Sequence, residues 1–271
     1  LQASCCALIE NMAVCCNSSN GPQHFTADVI LALGRTLKKH ARDPSGVEAC
    51  ARACSNIALT GTGACENLLE YGAAINVLYA LEHGPVTHTS GLYLARFLAN
   101  LIAYTPRGAA KQRCLAAVPA LLAIMGAFPG SSEATYECMR ALAALVSGAK
   151  VPPTAAAEVA RGAKTIAAAL AAYYATDLAI ARFCCVALAA AVAGATAPSA
   201  ATQAVQAPLV LRVMKLHQGD LKTQVAGCEL LGTLAVVSGG ARKKGDGDGC
   251  SDDDEWIVDG GGIEAVCAVA K

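Results

Sequence analysis

A five-residue pattern returns six times in this chain, and its spacing constrains the fold more than any other feature. Each copy sets apolar positions around a polar or small one: residues 9–13, 54–58, 98–102, 142–146, 188–192 and 231–235. The central positions are 11, 56, 100, 144, 190 and 233, so the steps are 45, 44, 44, 46 and 43 residues. A helical period of about 40–47 residues predicts stacked repeats instead of one compact domain. A single repeat cannot bury its apolar face alone, and stacking joins those faces into one continuous core. Proteins built this way act by presenting a long surface, and seldom carry catalytic groups.

By length alone, 271 residues could make one or two globular domains; the period overrides that. Alanine dominates, and aromatic residues are only 4%. Alanine is the best helix former, Pro and Gly fall mostly between apolar segments, and no sustained β-branched alternation marks a strand. The prediction is an all-α chain. Formal net charge is zero, which argues against non-specific nucleic-acid binding, since that needs a strongly basic footprint. The 14 cysteines include the doublets Cys5-Cys6, Cys15-Cys16 and Cys184-Cys185 and form no CxxC pair. Most stand where other repeats have Ala, Leu or Gly, so they read as small apolar core residues, without a zinc site. Unpaired core thiols imply a reducing, cytoplasmic compartment. The uncharged stretch from Phe183 to Leu211 contains Gly194, Pro198 and Pro208. It reads as two buried helices and a loop, not a membrane span of about 20 strongly apolar residues. No signal peptide is visible. The chain starts at Leu1 inside one repeat and stops inside another, which suggests a fragment of a longer protein.

Each repeat divides into a short helix, a turn at a small residue such as Gly72, a second apolar helix, and a third helix carrying the recurring pattern. Pro119 and Pro208 stand near the starts of second helices, where a missing N–H costs little. Before the third helices come Asp43-Pro44-Ser45-Gly46, His83-Gly84-Pro85, residues 129–132 and Gly219-Asp220, which supply turns and N-caps.

Residues 47–58, Val-Glu-Ala-Cys-Ala-Arg-Ala-Cys-Ser-Asn-Ile-Ala, followed by residues 66–78, Glu-Asn-Leu-Leu-Glu-Tyr-Gly-Ala-Ala-Ile-Asn-Val-Leu, resemble an armadillo repeat, and Gly260–Val266 resembles the same glycine turn into a second helix. The resemblance covers essentially the whole chain. It implies a right-handed superhelical solenoid of three-helix repeats over residues 1–271. Partial repeat 1–20 precedes repeats 21–62, 63–106, 107–149, 150–195 and 196–238, and partial repeat 239–271 follows with an acidic insertion at 241–255. Two-helix HEAT repeats are the nearest competitor; the short first helix and the glycine turn favour armadillo. In the insertion, Asp246, Asp248, Asp252 and Asp254 miss the spacing of a calcium loop, so it reads as a solvated loop.

The resemblance also implies a functional surface. Third helices of armadillo proteins line the concave face, and importin-α-like members display Trp and Asn there, four residues apart. This chain keeps the Asn at Asn11, Asn56 and Asn100, then has Ala144, Ala190 and Thr233. The Trp position holds Ala7, Arg52, Arg96, Arg140, Val186 and Glu229. An arginine groove would repel basic nuclear-localisation signals, so nuclear transport is disfavoured. Arg52, Arg96 and Arg140 are each 44 residues apart, and a spacing of four puts Arg52 with Asn56, and Arg96 with Asn100, on one helical face. Stacked helices about 8–10 Å apart match about three residues of an extended peptide at about 3.3 Å each. Arginine's fork suits carboxylates or phosphates. Tyr104, Tyr136 and Glu48 fall one turn from Asn100, Arg140 and Arg52.

Two readings of this ladder stand open. In one, Arg52, Arg96 and Arg140 contact anions, Asn56 and Asn100 hold the peptide backbone, and Tyr104 and Tyr136 pack on it. In the other, the arginines are solvated or pair with a neighbouring Glu, and the asparagines tie adjacent segments. Val186, Ala190 and Val225 make the C-terminal face small and apolar. The histidines, His24, His40, His83, His88 and His217, have no paired acids, phosphate loop or nucleophile elbow beside them, so the expectation is a non-enzyme without cofactor or metal. The function expected is a scaffold binding an extended acidic or phosphorylated segment of another protein, as a monomer or within a hetero-complex. The alternative is a structural subunit of a cytoskeletal or ciliary assembly.

Overall fold

The computed structural model describes residues 9, 27–106, 109–147, 153–194 and 205–242, and every regular element among them is helical. The helices are α1 (Ala27–Lys39), α2 (Pro44–Ala58), α3 (Thr62–Glu70), α4 (Ala73–His83), α5 (His88–Tyr104), α6 (Ala109–Arg113), α7 (Val118–Ala127), α8 (Ser132–Val146), α9 (Pro153–Arg161), α10 (Ala163–Tyr173), α11 (Leu178–Gly194), α12 (Ala207–Leu216) and α13 (Leu221–Arg242). A 3-10 turn, Cys114–Ala117, joins α6 to α7. The partial repeat at 1–20, apart from Ile9, and most of the acidic insertion lie outside the described residues. α13 runs through residue 241, where the insertion was expected to start, to Arg242.

The long helices α2, α5, α8, α11 and α13 start where the sequence supplies an oxygen for otherwise unpaired amides. Asp43 accepts from the Ser45 amide at 3.2 Å, with Pro44 in the first turn. Thr87 and Ser90 close a capping box. Ser131 accepts from the Ala134 amide, Asp177 from Ile180, and Asp220 from Thr223. These caps are 44, 44, 46 and 43 residues apart, the same steps as the apolar pattern within the helices. The turn between α3 and α4 is made by Gly72 at φ +73, a left-handed conformation that a Cβ disfavours. Pro119 and Pro208 sit in the first turns of α7 and α12.

Contacts divide the chain after Leu145. In the unit Leu1–Leu145, α2 packs along α5, and α1 packs on α4 and α2. Its core includes Ile57, Leu94, Phe97, Leu98, Leu101 and Met139, none with any exposed surface. In the unit Val146–Lys271, α11 is gripped by α9, α10 and α13, while α12 packs on α13. A helix covered on so many sides must be apolar nearly all round, which explains why Cys184 and Cys185 are both fully buried although they point in different directions. Residues 178–194 form one helix, and among the described residues no helix is long and apolar enough to cross a membrane.

Cys50, Cys54, Cys65, Cys114, Cys138, Cys184 and Cys185 are all buried. Burial pushes the thiols of Cys65 and Cys185 from an ordinary 9.0 up to about 12, and raises those of Cys114, Cys138 and Cys184. Below pH 9.0 these thiols are protonated whether the chain is folded or not. Between 9.0 and about 12 the unfolded chain releases protons that the folded one keeps. Stability is therefore whole below pH 9.0 and declines as pH rises toward 12. Urea midpoints measured across that range should fall, and Cys185→Ala should make the fall shallower. An identical slope in that variant would show that Cys185 is not held protonated.

Candidate functional site

Arg52, Arg96 and Arg140 stand on α2, α5 and α8, in a linked cluster more than an open ladder. On α2, Arg52 lies 3.9 Å from Glu48, one turn earlier. Its guanidinium also sits 5.3 Å from the centre of the Tyr93 ring on α5, and Arg96 sits 5.6 Å from the same ring. Both distances fall within reach of a cation–π attraction. Tyr93 thus links two arginines that are 44 residues apart in sequence.

Glu137 on α8 closes the other side. One carboxylate oxygen accepts from Arg96 Nε at 3.0 Å, and the other accepts from Arg140 Nε and Nη2 at 2.9 and 2.6 Å. Glu137 is only 7% exposed. A carboxylate so far from water needs this degree of compensation, since burying an unpaired charge costs several kcal/mol. Arg140 Nη2 also donates to Asn100 Oδ1 at 2.8 Å, and Asn100 Nδ2 donates to Ser55 Oγ at 2.9 Å. The chain Ser55–Asn100–Arg140–Glu137–Arg96 therefore stitches three helices together, through one neutral hydrogen bond at Ser55 and charge-assisted bonds elsewhere.

This geometry revises several expectations. Asn100 is 5% exposed and its amide already meets Ser55 and Arg140, so it ties helices and is not placed to hold a peptide backbone. Asn56, the matching residue on α2, is half-buried. Arg140 is the most covered of the three arginines, at 24% side-chain exposure against 40% for Arg52 and 41% for Arg96. Charge reversal at Arg96 would bring a carboxylate against Glu137, so that position is less independent of the fold than its spacing suggested. Tyr104 is exposed and Tyr136 half-buried. Asn11 lies outside the described residues.

Glu137, Tyr93 and Ser55 were not picked out by sequence reasoning. A usable signal was present for two of them. Tyr93 and Glu137 each stand three residues before a ladder arginine, a spacing that shares its helical face.

Among the described residues this cluster brings together the guanidinium groups of Arg52, Arg96 and Arg140 and the carboxylates of Glu48 and Glu137. The Arg52 and Arg96 side chains keep 40 and 41% of their surface exposed. Of the described histidines, His83 Nδ1 donates to the Tyr79 carbonyl at 2.9 Å, His217 Nε2 donates to the Tyr174 carbonyl at 2.8 Å, and His88 shares a hydrogen bond with Ser131, while His40 Nε2 is buried with no hydrogen-bond partner among the described residues. Among the described residues no three His, Cys, Asp or Glu side chains cluster as metal ligands would.

The equivalent positions in the second unit differ in kind. On α11 and α13 the arginine and asparagine positions hold Val186, Ala190, Glu229 and Thr233, and these line an open groove of about 870 Å³.

No family model matches the chain, and no curated protein matches it. Among solved structures it is similar to the crystal structure of an engineered protein from the Northeast Structural Genomics Consortium. The TM-score is 0.60 at 21% identity, over 87% of this chain and 92% of the other. That likeness is one of all-helical fold.

Proposed function

We propose that this chain is an armadillo-type solenoid acting as a non-enzymatic protein-interaction scaffold, and that its α2–α5 face binds an acidic segment of another protein. The solenoid reading is supported by N-caps recurring at the period of the apolar pattern, at Asp43, Thr87, Ser131, Asp177 and Asp220. The observation that carries the function is the Arg52–Tyr93–Arg96 cluster, in which two guanidinium groups share one aromatic ring with two-fifths of their surface exposed. Arginine held against a ring keeps its planar fork oriented, so less entropy is lost when it grips a carboxylate or phosphate. Asn100, Arg140 and Glu137 position this face more than they contact the ligand. Exposed Tyr104 offers an aromatic surface on the same helix.

The test is a titration of a labelled Glu-rich peptide, with and without one phosphoserine, against wild type and an Arg52→Gln/Arg96→Gln variant. Glutamine at 96 can still donate to Glu137, so the fold is spared. Each charge-assisted hydrogen bond is worth about 1.5–3 kcal/mol and about 1.4 kcal/mol is tenfold. The double variant should bind at least about tenfold more weakly, and wild-type affinity should fall as salt rises. Equal affinity in both proteins, or no binding by wild type, would reject this face as the site.

A second reading, a structural subunit of a large cytoskeletal or ciliary assembly, has its own observation. Leu221, Val225 and Val236 are exposed on α13 at 71, 47 and 76%, a surface that neighbouring subunits could cover.

A further inference from the structure

Helix α1 carries its charge on one side. Ile30, Leu33 and Leu37 are buried, and the helix packs on α2 and α4. At about 3.6 residues per turn, Arg35, Lys38 and Lys39 fall on the opposite face, and Arg42 follows in the turn after the helix. All four side chains are exposed. Residues 35–42 hold these four cations and no acid, in a chain whose formal net charge is zero. The acids nearest in sequence are Asp28, two turns before Arg35, and Asp43, whose carboxylate caps α2. Among the described residues no ion pair joins any of the four cations to a carboxylate. Like charges three and four residues apart, as at Arg35–Lys38 and Arg35–Lys39, oppose helix formation. The helix dipole compensates Lys38 and Lys39 in the last turn, but Arg35 stands a turn earlier. An apolar residue lies beside this face. A Cβ on Gly34 would crowd the side-chain amide of Asn76, so α1 sits tightly on α4. Lys38 Nζ reaches over the Tyr79 ring of α4, 5.1 Å from its centre. Ile75, one turn before Tyr79, is 63% exposed.

We propose that the basic face of α1, with Ile75, binds the surface of an anionic phospholipid bilayer. The cations supply attraction to the charged headgroups, and Ile75 supplies an apolar contact at the headgroup–acyl boundary. Ile75 decides among polyanions. The phosphate backbone of a nucleic acid, or an acidic peptide, gives an exposed isoleucine no apolar medium to enter, and a bilayer does. Shape agrees with charge. The cations project from the outer side of one helix, where a flat sheet of headgroups meets all four and a single peptide strand meets one row. This face is separate from the Arg52–Tyr93–Arg96 cluster, which is built on α2 and α5.

The test is co-sedimentation of the whole chain with vesicles of phosphatidylcholine alone, or of equimolar phosphatidylserine and phosphatidylcholine. Wild type should pellet with the anionic vesicles only, and less so as salt rises. Each basic residue near such a surface contributes about fivefold, so Arg35→Gln/Lys39→Gln/Arg42→Gln should bind about a hundredfold more weakly. Its circular dichroism should be retained, because the variant removes like charges and changes only exposed residues. Ile75→Ser should bind severalfold more weakly. Arg35→Lys/Arg42→Lys should bind as wild type does, since a bilayer reads charge and not the planar fork of arginine. Wild type that stays in solution overturns the proposal, as does a triple variant that pellets equally. A triple variant that loses affinity for a duplex oligonucleotide, with Ile75→Ser unaltered on vesicles, overturns it in favour of nucleic acid. Loss of vesicle binding in Arg52→Gln/Arg96→Gln would put the lipid on the α2–α5 face and overturn it as well.

Discussion

Glu137→Ala is expected to lower the stability of the first unit by about 3 kcal/mol, at the low end of the cost of breaking a buried ion pair. The low end applies because water still reaches part of Arg96 and Arg140, whose side chains are 41 and 24% exposed. What remains after the substitution is two guanidinium groups on neighbouring helices with their shared counter-ion gone. The same variant should bind the Glu-rich peptide more tightly, because one negative charge is removed from beside Arg96 and Arg140. Urea unfolding and the peptide titration therefore move in opposite directions. A structural account without ligand binding would predict only the first change, and an exposed, uncoupled Glu137 would predict a stability loss below about 0.5 kcal/mol. Replacing Arg96, Glu137 and Arg140 together by methionine and leucine should restore much of the stability, since apolar replacement of a buried ion cluster is often neutral or better. It should also weaken peptide binding, which separates the cluster's two roles.

The period, the helix starts and the glycine turn could be read in the sequence because each rests on local chemistry. A cap is a side-chain oxygen two or three residues before an amide, and Asp43, Thr87 and Asp220 announce it within a few residues. Gly72 was legible for the same reason: a left-handed turn between two helices selects glycine. The arginine spacing was equally plain, and Arg52 and Arg96 do stand on adjacent packed helices. The role of Asn100 was not legible. An asparagine one turn past an arginine looks the same whether it faces a ligand or a neighbouring helix. Its partners, Ser55 and Arg140, come from 45 residues before and 40 after. Glu137 was hidden by the opposite bias, since an acid in a helix usually marks a solvated face. Only the convergence of Arg96 and Arg140 makes its burial tolerable, and that convergence is a property of packing. The groove on α11 and α13 was foreshadowed by Val186, Ala190 and Val225, but its depth depends also on Ala193 and Gly232, which read as ordinary helix-compatible small residues.

Gly84→Ala should be the most damaging single-methyl addition among the described residues. The sequence His83-Gly84-Pro85 reads as a turn, yet Gly84 has φ −126 and ψ 157, a conformation open to any residue. Conformational freedom is thus not what requires glycine there. The requirement is space: a Cβ built on Gly84 would overlap the carbonyl oxygen of Ala41 in the turn between α1 and α2, and would crowd the Ala80 carbonyl. Both obstacles are backbone, so no rotamer change relieves them. Either the α4–α5 connection or the α1–α2 turn must move, and Ala41 is itself buried. Overpacking of this kind costs about 1–3 kcal/mol and sometimes more; the upper end is expected here because two backbone segments are locked against each other. The Arg52–Tyr93–Arg96 cluster spans α2 and α5, the two helices that follow these turns, so displacement should also weaken peptide binding without any change at the contacting residues. Gly232→Ala supplies the contrast. It lies within α13 with nothing inside 4 Å of an added Cβ, so it should stabilise the chain by about 0.5–1 kcal/mol through helix propensity. Thermal unfolding of the two variants beside wild type tests both signs. A Gly84→Ala protein as stable as wild type would mean that the two turns do not touch in solution.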